Sequence, residues 1–99
     1  MDIGPALRQQ IEEICRRYHV RRMSLFGSAA VGAERADSDV DLLVEFTPGE
    51  APSGFALVDM QQELSDAFGG RRIDIAFPSV LNNPFRLRAI EAQLKPLYH

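Results

Sequence analysis

Three aspartates and a glycine–serine pair are the residues most suited to chemistry. Gly27-Ser28 closes a short apolar run. Ten residues after Ser28 come Asp39 and Asp41, one residue apart, opening another apolar run. Asp74 interrupts a third run, Arg71-Arg72-Ile73-Asp74-Ile75-Ala76-Phe77. Strand side chains alternate faces, so Asp39 and Asp41 share one face, about 6.5–7 Å apart along the strand. Two such carboxylates repel each other and are costly beside a core. A pair of divalent cations relieves both problems, because carboxylates are hard oxygen ligands and Mg²⁺ binds through a few of them plus substrate phosphates. Asp74, from a neighbouring strand, is the candidate third ligand. Gly27-Ser28 supplies a complementary feature. A strand turning through glycine into a helix N-terminus offers free N–H groups to an anion, and the Ser28 hydroxyl can donate as well. Triphosphate on the turn and metal on the carboxylates would fit a single nucleotide.

Each feature has a plainer reading. The Gly-Ser turn serves as an ordinary connection, Asp39 and Asp41 as turn or edge charges, and Asp74 as a partner for Arg71 or Arg72. Their joint order and spacing is the more specific signal.

The elements that must position these residues follow from periodicity. Ile3, Leu7, Ile11, Ile14, Cys15 and Tyr18 predict a helix over 3–18, with Cys15 on its apolar stripe as a core residue. A strand follows near 22–26, then one or two helical turns from Ser28 through Ala33. Val40, Leu42, Leu43, Val44 and Phe46 predict the second strand. Two prolines and two glycines mark 47–54 as a loop, and Ser53 is a candidate N-cap. Phe55, Val58, Leu64, Ala67 and Phe68 predict one apolar side of a helix over 54–68, stopped by Gly69-Gly70. Residues 71–77 predict a third strand, ended by Pro78. Ile73, Ile75 and Phe77 are expected on one face, with Arg72, Asp74 and Ala76 on the other. A last helix is expected near 84–94, from Pro84 to a stop at Pro96. The expected architecture is a single domain over 1–99: a small α/β (α+β) sandwich with a mixed sheet of at least three strands packed against helices.

Composition narrows the function classes. Net charge is −3 and the isoelectric point near 5.3, so direct nucleic-acid binding is not expected. The basic residues are uneven: Arg16, Arg17, Arg21 and Arg22 cluster early, as a solvated face or a docking surface. One cysteine excludes an internal disulfide. There is no membrane-length apolar run and no signal-peptide pattern, so the expected setting is the cytoplasm without membrane contact. His19 and His99 are expected to be solvated, and no Ser-His or Cys-His nucleophilic arrangement stands out.

Gly27-Ser28, the ten-residue interval, Asp39-Val40-Asp41-Leu42 and the later Asp74 together resemble the nucleotidyltransferase superfamily that includes DNA polymerase beta. More narrowly, the chain is similar to the minimal nucleotidyltransferases, small proteins often encoded beside a HEPN-domain toxin. The resemblance covers nearly the whole chain. It implies the nucleotidyltransferase fold, with Asp39 and Asp41 bridging two Mg²⁺ ions and Asp74 holding the catalytic one. Gly27 and Ser28 would cradle the β and γ phosphates, and Arg35 would contact nucleotide. It further implies ATP as substrate and transfer of AMP to a hydroxyl, of tyrosine, on a HEPN toxin, in a hetero-oligomer where this chain is the antitoxin. One departure stands out: the family pattern G-S-x-A-R-G-x-A-R has an arginine where this chain has Val31. Its loss bears on affinity and rate, and leaves open an antitoxin that inhibits by binding alone. A transferase for a small molecule is a third reading, disfavoured by the short chain.

Overall fold

The computed structural model describes residues 3–26, 39–77 and 94–99. The expected short helix from Ser28 and most of the expected last helix lie outside them.

Helix α1, Pro5–Arg17, opens with proline in its first turn and ends with Arg16 and Arg17, whose charges suit its C-terminal dipole. The expected stripe is the one that packs: Ile11, Ile14 and Cys15 are buried, with Ile3, Leu7 and Tyr18 against the same core. His19 then turns the chain at φ +60°, a left-handed position, and its carbonyl accepts from Thr47 N–H at 3.0 Å. Strand β1, Val20–Phe26, therefore begins two residues earlier than expected. A bulge between Val20 and Arg22 leaves Arg21 and Arg22 both exposed. Such an inserted residue breaks the alternation that would have marked the strand start.

Strand β2, Val40–Phe46, pairs antiparallel with β1. Leu25 lies opposite Leu42, and Met23 opposite Val44. These four line the core with both helices. Helix α2, Gly54–Ala67, is capped by Ser53, whose hydroxyl accepts from Ala56 N–H at 3.3 Å. Its buried side is Met60, Leu64 and the following Phe68, at helical steps of four. Phe55 and Val58, expected on that side, are instead 89% and 63% exposed. They stand about half a turn away from Leu57 and Met60, and only one face of a surface helix meets the sheet. Gly69 and Gly70, at φ +76° and +85°, end the helix as expected.

Strand β3, Ile73–Ala76, runs parallel to β2. The fourth strand, β4, Lys95–Tyr98, is a correction. Pro96 is not a helix stop; it lies in an edge strand, where a missing N–H is tolerated. Leu97 enters the core at 3% exposure. The sheet order is β3-β2-β1-β4, with one parallel and two antiparallel pairings. The mixed sheet of at least three strands packed against helices is the architecture expected.

Candidate functional site

The parallel pairing of β2 with β3 decides the geometry. Val40 lies beside Ile73, and Asp41 directly beside Asp74. Adjacent strands are about 4.8 Å apart, and residues in register on parallel strands point to the same face. Asp41 and Asp74 therefore share the face opposite α1 and α2, whose packed side takes Val40, Leu42 and Ile73. Asp39 immediately precedes β2 and is exposed.

Local bonds hold this corner. Val40 N–H donates to the Arg72 carbonyl at 2.8 Å, fixing the two strand entries together. From α2, Gln61 Nε2 donates to the Ile73 carbonyl at 2.5 Å. Ser65 Oγ donates to the Arg71 carbonyl at 2.7 Å. The residues before Asp74 are thus tied to a helix on the other side of the sheet. On β1, Phe26 is in register with Asp41.

The electrostatics agree with the register. Burial, then the charges of Asp74 and Asp39, raises the Asp41 carboxyl above its ordinary value of 3.8. Arg72 partly offsets the cluster, its Nε lying 3.8 Å from Asp74 Oδ1. The plainer reading of Asp74 as an arginine partner is therefore also realised; Arg72 is largely exposed and Asp74 about half exposed, so water screens the pair.

Among the described residues, no three His, Cys, Asp or Glu side chains converge as a ready metal-binding group. Asp39 is exposed and Asp74 faces Arg72, while like charges push carboxylates apart in the absence of a cation. The donor chemistry nonetheless fits a hard divalent ion: three carboxylates at one corner, of which Asp41 and Asp74 are in register and half-buried. Gly27, Ser28 and Arg35 lie outside the described residues.

The other singled-out residues are structural. Cys15 is fully buried and its thiol is pushed up to about 12, by burial and then by Glu12. Arg17 and the Tyr18 hydroxyl both donate to Glu63, joining α1 to α2. Arg21 lies 3.8 Å from Glu45. Arg16, Arg17, Arg21 and Arg22 are all exposed. His19 is exposed, 4.0 Å from Glu50. No helix among the described residues is long and apolar enough to cross a membrane.

Paired acidic residues on adjacent parallel strands, backed by two helices, match the framework expected of nucleotidyltransferases. The chain belongs to that class, in the family "Polymerase beta, Nucleotidyltransferase", whose model matches residues 9–99. Its relatives are more particular. Protein adenylyltransferase MntA of Thermococcus cleftensis is 34% identical over 82 residues, 83% of this chain and 80% of that one. The protein MJ0128 of Methanocaldococcus jannaschii, provisionally named a protein adenylyltransferase, is 30% identical over 93 residues, 94% and 92% of the two chains. A structure provisionally described as a minimal nucleotidyltransferase is 31% identical. It superposes with a TM-score of 0.74 over 92% of this chain and 89% of that one. A toxin–antitoxin structure with AMP-PNP, 20% identical, shares the fold at a TM-score of 0.68, over 92% and 72% of the chains. The family and fold expected from the Gly-Ser and Asp pattern are borne out, and the chain is a nucleotidyltransferase.

Proposed function

We propose that this chain is an antitoxin that transfers AMP from ATP to a hydroxyl, that of a tyrosine, on a partner HEPN-domain toxin. The observation that carries the reading is the in-register pairing of Asp41 with Asp74 beside Asp39. Support for protein as the acceptor comes from relatives named as protein adenylyltransferases. Support for a toxin partner comes from the toxin–antitoxin structures that share the fold.

Asp39, Asp41 and Asp74 would hold Mg²⁺, which when bound supplies charge neutralisation for phosphate oxygens and eases deprotonation of the attacking hydroxyl. Asp41 is fixed by β1 on one side and β3 on the other, so its carboxylate is positioned by the sheet rather than by a loop. Gly27 and Ser28, which follow the end of β1, would bind the triphosphate through backbone N–H groups and the hydroxyl, and Arg35 would add a charge-assisted bond. The acceptor oxygen attacks the α-phosphorus. The bond to the bridging oxygen breaks, and pyrophosphate leaves. No protein nucleophile is needed, because the work is positioning and electrostatics.

The test uses ATP labelled in the α or the γ position, with Mg²⁺, this chain and its partner. Label is expected on the partner from the α position only. Label from the γ position would show phosphoryl transfer and contradict the proposal. Val31, standing where the family pattern has arginine, favours a second reading: an antitoxin that neutralises by binding, with weak or no catalysis. A stable complex without label from either position would support it.

A further inference from the structure

We infer that Gln61 and Ser65 are positioning residues for the carboxylate site: from α2 they hold the outer edge of β3, and so fix Asp74 where one cation can be shared with Asp41. The inference rests on the reading above that these carboxylates bind a divalent ion, and it names what keeps them set for it. β3 is four residues long and, among the described residues, has β2 as its one strand neighbour. It follows Gly69 and Gly70, both at positive φ, and glycine restrains a turn little. Like charges in register push Asp74 away from Asp41. The two are close enough that the charge of Asp74, after burial, contributes to raising the Asp41 carboxyl. A short edge strand entered from such a turn would yield to that push unless it were held from its other side.

The hydrogen bonds supply that hold. Successive residues of a strand direct their backbone groups to opposite sides. The Arg72 carbonyl accepts from Val40 N–H on the β2 side, at 2.8 Å. The carbonyls one residue before and one after it, of Arg71 and Ile73, point to the outer edge, where a fifth strand would pair with them. Helix α2 supplies the donors instead. Ser65 Oγ donates to the Arg71 carbonyl at 2.7 Å, and Gln61 Nε2 to the Ile73 carbonyl at 2.5 Å. Positions 61 and 65 are one helical turn apart, on one side of α2. A helical turn of about 5.4 Å nearly matches the roughly 6.6 Å spanned by two strand residues, so both donors reach their carbonyls. Ser65 also fixes the turn, its own carbonyl accepting from Gly70 N–H at 2.8 Å. The adjacent Gln62 donates instead to Asp66 on the exposed surface, at 3.0 Å.

The experiment measures Mn²⁺ binding to the full chain by water-proton relaxation, with melting temperatures in parallel. The proteins are wild type, Gln61→Ala, Ser65→Ala, Gln62→Ala and Asp74→Asn. Alanine is the best helix former, so the three α2 variants keep the helix. Wild type is expected to bind, and Asp74→Asn to lose most of that affinity. Gln61→Ala and Ser65→Ala are each expected to raise the Mn²⁺ Kd about 10-fold, the scale of loss for groups that orient metal ligands. Gln62→Ala is expected to stay within threefold of wild type. Affinity within threefold of wild type in Gln61→Ala or Ser65→Ala overturns that residue's assignment, even where its melting temperature falls, because a merely structural hold would shift melting alone. An equal loss in Gln62→Ala assigns the effect to the helix at large and overturns the inference. Wild type and Asp74→Asn binding Mn²⁺ alike overturns the metal reading itself.

Discussion

Asp41 occupies a place where a negative charge is costly. It is half-buried and in register with a second carboxylate, with a third two residues before it. Its raised pKa means that the folded state binds this proton more tightly than the unfolded chain does. The sign follows: the stabilisation is fully present below the ordinary carboxyl value and is lost as pH rises through the raised one. In a chelating buffer, Asp41→Asn should therefore gain thermal stability over wild type as pH climbs through that window. Parallel melting temperatures across the acid-to-neutral range would contradict it. The same substitution should lower transfer at least about a hundredfold, since even residues behind metal ligands cost 10- to 100-fold when lost. Cys15 behaves oppositely. Fully buried, with its thiol near 12, it should resist alkylation in the native protein and react only on unfolding; rapid native labelling would contradict its core placement.

The acidic trio was legible because strand alternation is a strict rule and a charge in an apolar run breaks it visibly. Individual elements were less so. Sequence periodicity placed Phe55 and Val58 with the core of α2, yet the helix turns them outward and buries Met60. A helix rich in apolar residues on several sides does not announce which side the sheet will take. The bulge in β1 hid the strand start, and Pro96 concealed an edge strand as a helix end. Edge strands need only one neighbour, so β4 carries a weak local signal and depends on Leu97 for anchorage. Leu97→Ala should cost about 2–5 kcal/mol of stability. Denaturant titration checks this, and a loss well under 1 kcal/mol would mean that β4 is peripheral to the core.

For the molecule as a whole, the division of labour follows the sheet. One face is sealed by α1 and α2 over a core running from Ile11 to Leu97. The opposite face carries Asp41 and Asp74. Gln61 and Ser65 reach from α2 to the strand entry before Asp74, so packing on one side sets geometry on the other. Gly27-Ser28, outside the described residues, could be read only as a motif, since strand–glycine–helix turns are common and its proposed role rests on company with the aspartates. The proposed acceptor was not legible in residues at all; it entered through resemblance, because no spacing within this chain specifies a hydroxyl on another.

The measurement that tests the central claim most directly is intact-mass spectrometry of the proposed HEPN-domain partner after incubation with this chain, ATP and Mg²⁺. An Asp39→Asn, Asp41→Asn double variant serves as control. The account predicts a gain of one or more AMP units with wild type and none with the variant. An equal gain with both would contradict the carboxylate site; no gain with either, alongside a stable complex, would contradict the catalytic role and leave an antitoxin that acts by binding.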